Sequence, residues 1–262
     1  MTQTTRQEEG SPSIPQFFDD MAVGRNEKIR SNPIIDYEQR VRSATVLKLL
    51  AAGPGERILD IGCGNGRDVL PMIAQGACVV GVDVSEGMVA EARRVLSASG
   101  IENVRLQVGD ATQLDFADGE FDKILCSEVI EHIPDASKAL SEMRRVLKPG
   151  GKLVLSTPNP RSFYGFERYV VWEKLLRRKW NHPFDNWRCM DELAALVERE
   201  GFLVSGKTGA CYVPGFLVTY FMLPRFVQRL LLWGVGFIEP TAARLLPRFG
   251  YMVCIDATKP LS

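Results

Sequence analysis

Histidine is scarce in this chain. Only His132 and His182 occur in 262 residues, so few side chains can act as bases near neutral pH. The six cysteines (Cys63, Cys78, Cys126, Cys189, Cys211, Cys254) form no Cys-x-x-Cys pair. Several sit inside apolar runs, which argues against a disulfide framework or zinc site and for reduced, buried thiols in a cytoplasmic protein. No apolar run reaches the ~18–20 residues of a membrane span. The N-terminal stretch Met1–Gly10 is polar and lacks an apolar core, so no secretory signal is expected. An excess of charge is missing too. Lys+Arg and Asp+Glu both number 32, which argues neither for nor against nucleic acid and leaves electrostatic partners to local patches.

What is present is a soluble composition, 45% hydrophobic and 24% charged, in a chain long enough for one large α/β domain. Residues 1–15, rich in Thr, Gln, Glu, Ser and Pro, read as a disordered tail, leaving 16–262 as a single domain. Helices are expected from Phe17 to Arg30 and from Asp36 to Leu50. Strand and helix then alternate: strand Arg57–Ile61, helix Arg67–Gln75, strand Ala77–Val82, a helix capped by Ser85 through Ser99, and strands Val104–Val108 and Phe121–Cys126. A helix from Asp135 to Leu147 and strand Lys152–Thr157 follow, then helix Met190–Glu200 and strands Phe202–Lys207 and Tyr251–Ala257. This spacing predicts a doubly wound, mainly parallel seven-stranded α/β sheet of Rossmann-like form. Two stretches, 158–188 and 212–249, interrupt the alternation.

The stretch Ile58-Leu59-Asp60-Ile61-Gly62-Cys63-Gly64-Asn65-Gly66-Arg67 is an apolar strand, a glycine turn and a helix start. Such a turn binds ligands beyond the carboxyl ends of the strands of an open sheet. A dinucleotide fingerprint would place a third glycine where Arg67 stands. Asp60, two residues before the first glycine, would repel a pyrophosphate and suits a ligand carrying positive charge.

This pattern resembles that of the class I S-adenosylmethionine (SAM) methyltransferases. Further landmarks follow in the family's order. Asp83 ends Val-Val-Gly-Val-Asp, Gly109-Asp110-Ala111 follows the third strand, Phe121-Asp122 opens the fourth, and Leu147-Lys148-Pro149-Gly150-Gly151 precedes the fifth. The resemblance implies SAM as cofactor, held by Asp60, Gly62, Cys63, Gly64 and Gly66 at the turn, by Asp83 and Val84 at the ribose, by Asp110 and Ala111 at the adenine, and by Ser127. Cys63 reads as a small residue filling a tight turn, and Asp122 as structural.

Ser127-Glu128-Val129-Ile130-Glu131-His132-Ile133 follows the fourth strand, at the sheet edge beside the methyl donor. His132 is the candidate general base. On a helical turn, Glu128 could meet Glu131 or His132 around one divalent cation such as Mg²⁺. The segment looks like that of the ubiquinone-biosynthesis O-methyltransferases, in which the two Glu and the His are the proposed metal ligands. Arg30-Ser31-Asn32-Pro33 is similar to an element of that group whose arginine contacts SAM. Ser156-Thr157-Pro158-Asn159 resembles the turn after its fifth strand, and His182 falls near one of its histidines. The similarity runs from about Arg30 to Gly201.

The insertion 158–188 carries eight aromatics among seven Lys/Arg and is expected over the acceptor pocket as a helical, aromatic lid. That composition suits an aromatic acceptor, single-stranded nucleic acid, a membrane interface or a packed lid. In 212–249, Phe216-Leu217-Val218, Phe221-Met222-Leu223 and Leu230-Leu231-Leu232-Trp233 are apolar but broken by prolines. This stretch suits a surface-lying helix, an apolar tunnel wall or a dimer face. The expected function is O-methylation of a small or lipid-linked, quinone-precursor-like acceptor. The enzyme would be cytoplasmic or peripheral on a membrane's inner face, without a nucleic-acid partner. N- or C-methylation of a sugar or other natural product, and a SAM-binding or membrane-associated module without catalysis, are the alternatives.

Overall fold

The structure is a computed structural model and describes residues 12–178, 182–212 and 223–261. Residues 1–11 of the expected tail, and Phe216–Val218, Phe221 and Met222 of the second insertion, lie outside the described residues.

Seven strands form one sheet: β1 Arg57–Ile61, β2 Cys78–Asp83, β3 Arg105–Val108, β4 Phe121–Ser127, β5 Leu147–Pro158, β6 Leu203–Ala210 and β7 Met252–Thr258. Their order is β3-β2-β1-β4-β5-β7-β6. The first five pair in parallel, and β7 enters antiparallel between β5 and β6. Alternate strand residues point to opposite faces. Leu59, Ile61, Ile124, Cys126, Leu153 and Leu155 join one core with helices α6 (Ala136–Val146) and α8 (Met190–Arg199). Ile58, Leu125, Val154 and Cys254 join the other with α3 (Pro33–Leu50), α4 (Val69–Ala74) and α5 (Glu86–Ala98). Burial on both faces explains why these strands read as continuous apolar runs rather than alternations.

The N-terminal expectation changes. Instead of one helix after a tail ending at residue 15, α1 spans Ile14–Ala22 and α2 spans Arg25–Ser31. Ser13 caps α1, and Gly24, at φ +67°, breaks the path where a residue with a Cβ would be strained. The carboxylate of Asp19 then accepts hydrogen bonds from Ser85 Oγ (2.5 Å) and the Gly87 amide (2.9 Å), tying α1 to the positive end of α5.

The 158–188 insertion forms a short helix α7 (Phe163–Phe166) that continues as a π-helical turn over Glu167–Leu175. Its basic and aromatic residues are partly internal to it. Arg168 is buried, pairs with Asp185 at 2.7 Å and lies over the rings of Tyr169 (4.9 Å) and Trp187 (4.5 Å). The second insertion holds α9, Arg225–Leu245. It is fastened by Glu239, which accepts from the amides of Cys211 (2.6 Å) and Tyr212 (3.1 Å) and from Tyr37 Oη (3.2 Å). Among the described residues, no helix is long and apolar enough to cross a membrane.

Candidate active site

A cavity of about 330 Å³ opens at the carboxyl ends of β1 to β4. The strand order sets the order of its walls. Gly109, Asp110 and Ala111 follow β3, Asp83 ends β2 with Val84 after it, Gly62, Cys63 and Gly64 follow β1, and Ser127 ends β4 with Glu128 and His132 after it. A ligand lying along this edge meets them in that sequence.

Glycine is required at the turn for a measurable reason. Gly62 adopts φ +69°, and a Cβ there would lie 2.1 Å from Val129 Cγ2. Gly66, at φ +78°, does not line the cavity. A Cβ on it would touch Ala92 of α5 at 3.4 Å, so it seats the turn against the helix. Cys63 is buried and fills the turn as expected; a Cβ on Gly81 would come within 3.0 Å of its sulfur.

Asp83 is almost fully buried. Its Oδ2 accepts from the Gly64 amide at 2.8 Å and its Oδ1 from the Ser85 amide at 3.0 Å. Burial nonetheless raises its pKa above the usual carboxylate value, against the pull of those amides and of Arg25. Asp110 is exposed at the far end, its Oδ1 accepting from the amide and hydroxyl of Thr112 (2.7 and 2.8 Å).

Asp60 behaves differently from expectation. It lies beneath the turn rather than on the cavity wall, it is buried, and its Oδ2 accepts no hydrogen bond among the described residues. Burial, and then the nearby Asp68, push its carboxyl well up, while Arg42 pulls the other way. Arg42 is the fixed cation of the site. It is buried, lines the cavity, pairs with Asp68 at 3.0 Å and donates to Ser127 Oγ at 2.6 Å. Arg30 is also displaced. It is exposed on α2 and outside the cavity lining, whereas Arg25, one turn earlier, lines it.

The metal expectation is not supported by the arrangement of its residues. Glu128 takes φ +58°, and only Ile130–His132 form a 3-10 turn, so the three side chains do not share a helical face. Glu128 accepts from Ser156 Oγ at 3.0 Å, and Glu131 is turned into the interior at 1% exposure. Among the described residues, no three His, Cys, Asp or Glu side chains are grouped to hold a metal ion. Burial raises both carboxyls to about 8, which favours their neutral forms.

His132 lines the cavity, and its Nδ1 lies 3.1 Å from the carbonyl oxygen of Phe184. A carbonyl only accepts, so in the neutral ring Nδ1 carries the proton and Nε2 keeps a lone pair. Nε2 is 3.8 Å from Glu131 Oε1, and Asp185 Oδ1 is 3.8 Å from Nδ1. His182 stacks on His132 at 5.3 Å, and burial lowers its pKa to about 4, keeping it neutral.

Sequence reasoning missed several walls. Ile14, Pro15 and Phe18 of α1 roof the cavity, and Phe17 and Phe18 pack on His182 and His132 at 4.7 and 5.2 Å. Arg25, Asn65, Arg67 and Asp68 also line it. Arg42 left a sequence signal. It falls four residues before Val46 and eight before Leu50 on the buried stripe of α3, where an unpaired charge would be costly.

The sequence pattern of a family described as "Methyltransferase domain" matches residues 52–204. A "Ubiquinone biosynthesis O-methyltransferase" of Dinoroseobacter shibae is 36% identical over 193 residues, covering 70% of this chain and 76% of the relative. A "Demethylmenaquinone methyltransferase" of Beutenbergia cavernae is 38% identical over 159 residues, 58% of this chain and 63% of the relative. Among solved structures, the cyclase SpnF superposes with a TM-score of 0.67 at 17% identity over 96% of this chain and 98% of its own. A SAM-dependent methyltransferase of Thermotoga maritima, described as a possible histamine N-methyltransferase, superposes at 0.60 with 22% identity over 93% and 99%. The structural likenesses speak for the fold, and the sequence matches for the family. This chain belongs to the methyltransferase-domain family and is a SAM-dependent methyltransferase.

Proposed function

We propose that the enzyme methylates a hydroxyl group on a small or lipid-linked phenolic acceptor of the quinone-precursor kind, with His132 as the general base. The site suits SAM in volume and in chemistry. Gly62 offers bare backbone where a side chain would not fit, and Asp83 faces the cavity with a buried carboxylate. Asp83 would take the ribose hydroxyls, Asp110 and Ala111 the adenine, and the glycine turn with Ser127 and Arg42 the methionine end. When bound, SAM supplies an electrophilic methyl group on a sulfonium.

The observation that carries the reading is the hydrogen bond of His132. With Nδ1–H held by the Phe184 carbonyl, Nε2 is the nitrogen able to take a proton from an acceptor hydroxyl. Asp185 Oδ1, 3.8 Å from Nδ1, would stabilise the imidazolium that results. Asp185 is itself held in place through Oδ2 by Arg168 (2.7 Å) and Trp187 Nε1 (2.9 Å). The roof of α1 would limit water at the transfer site. The similarity to a ubiquinone-biosynthesis O-methyltransferase and a demethylmenaquinone methyltransferase favours the lipid-linked acceptor class over sugars.

The test is transfer of labelled methyl into fractionated cell extract, with mass spectrometry of the product. The expected product comes from the lipid-soluble fraction and carries its new methyl on oxygen. Methylation on nitrogen or carbon, or of a water-soluble sugar, would overturn the proposal.

A further inference from the structure

The amphipathicity of α9 is inverted. Its inward-facing residues include Gln228 and Glu239 beside Leu232 and Val235, and Leu232 alone is fully buried. Its outward residues include Phe226, Leu230, Trp233 and Phe237, exposed by 73, 65, 67 and 67%. Their spacings of four, three and four put them in one stripe on the helix surface. Leu231, Ile238 and Leu245 widen the stripe. From Phe226 to Leu245 it runs roughly 28 Å at 1.5 Å per residue. Scattered exposed apolar residues are ordinary, but a continuous stripe of this length marks a surface that meets something.

Charge selects the occupant. The other charged residues of α9 are Arg225, Arg229 and Arg244, all exposed, whereas Arg248 beyond its end pairs with Asp191 at 3.4 Å. The helix's one acid, Glu239, is consumed inside by the amides of Cys211 and Tyr212 and by Tyr37. The outer face thus presents apolar side chains and arginines without a carboxylate. A second copy docked by two-fold symmetry, α9 against an antiparallel α9, would bring Arg225 and Arg229 toward the other copy's Arg244 with no acid between them. A layer of anionic headgroups over acyl chains satisfies both parts of the face at once.

We infer that α9 lies in the plane of an anionic lipid surface, with Phe226, Leu230, Trp233 and Phe237 in the acyl boundary and Arg225, Arg229 and Arg244 on the phosphates. At its C-terminal end the chain passes through Phe249. This residue, exposed by 57%, lines a cavity with Phe163, Phe166 and Tyr251. Lipid binding by α9 does not depend on which acceptor the enzyme methylates.

The test is co-sedimentation of the full chain with vesicles, read without any methyl-transfer assay. Wild-type protein is expected to bind vesicles containing phosphatidylglycerol, to bind phosphatidylcholine vesicles far less, and to be released by salt. Trp233→Glu combined with Phe237→Glu should weaken binding at least tenfold. Arg225→Gln and Arg229→Gln should each weaken it roughly fivefold. Calorimetric titration with SAM establishes that each variant is folded, and the two arginine variants carry the test should the double variant not fold. Absence of binding to phosphatidylglycerol vesicles overturns the inference, as does binding that none of these substitutions changes. A dimer in sedimentation velocity that Trp233→Glu dissociates, without vesicle binding, would instead assign the face to a second copy.

Discussion

Replacing Gly62 by alanine isolates what the glycine turn does. Two costs are expected. Alanine must adopt φ +69°, a left-handed conformation that costs roughly 1–2 kcal/mol for a residue with a Cβ. The new Cβ also falls 2.1 Å from Val129 Cγ2 and 3.0 Å from Cγ1, an overlap that must be relieved by moving the loop, for roughly 1–3 kcal/mol. Together these amount to roughly 2–5 kcal/mol, or a melting-temperature drop of roughly 5–15 °C. Gly64 is the internal control. It sits at φ +51°, but its nearest neighbour would be the Gly62 carbonyl oxygen at 4.0 Å, so Gly64→Ala should show the conformational cost alone. Trimming the partner separates the two terms. Val129→Ala removes both Cγ atoms and leaves only its Cβ at 3.1 Å, so in that background most of the steric part of Gly62→Ala should be relieved, giving a coupling energy of roughly 1–2 kcal/mol in a double-mutant cycle followed by denaturant unfolding. Val129 precedes the turn that carries His132, so Gly62→Ala should also disturb that loop and weaken SAM binding by calorimetry. Equal melting of Gly62→Ala and Gly64→Ala, with a coupling to Val129→Ala below about 0.5 kcal/mol, would show that Val129 does not impose glycine at position 62.

Asp83→Ala should weaken SAM binding roughly 10- to 100-fold by removing a charge-assisted acceptor. It should also lower stability modestly, because the Gly64 and Ser85 amides lose their partner; unchanged affinity in calorimetry would remove Asp83 from the cofactor site. His132→Ala should reduce turnover roughly 10²- to 10⁴-fold while SAM affinity stays near wild type, and a loss of SAM binding instead would sink the base assignment. Glu38, hydrogen-bonded to Tyr164 Oη, has its carboxyl raised to about 7 by burial, with Glu128 adding to the shift. A carboxyl raised in the folded state contributes stability that is present below its unfolded value and lost as pH climbs through the folded one. Wild-type stability should therefore fall by about 2 kcal/mol between pH 4.5 and 7 on account of this group. Glu38→Gln should flatten that part of the profile in denaturant melts at several pH values, and an unaltered slope would contradict it.

Local patterns in the chain were sufficient for the sheet and for the glycine-turn wall of the cavity. β1, β2 and the helix capped by Ser85 lie within a residue or two of where periodicity and capping put them, because a strand covered on both faces must be apolar throughout. Gly62, Gly64 and Asp83 were legible because close backbone approach and a strand-end carboxylate leave short, fixed spacings. What tertiary structure decided lies where distant segments meet. Asp60 reads as a ligand contact from its place before the glycines, yet it is buried off the cavity wall, which is lined instead by Arg42, a residue brought from α3 to pair with Asp68. Glu128, Glu131 and His132 would share a face only on a regular helix, and the left-handed step at Glu128 removes that face. Ile14 and Pro15 of the α1 roof read as the end of a tail because the anchor of α1, Asp19 on Ser85 and Gly87, is a contact across 66 and 68 residues of chain. For α9, the sequence suited a surface-lying helix, a tunnel wall or a dimer face; only packing revealed that Glu239 points inward, where it satisfies the amides of Cys211 and Tyr212. Spacing along one chain constrains neighbours within a few residues. Which groups share a cavity, and which face of a helix is left to the outside, follow from how elements with no sequence proximity bury one another's polar groups.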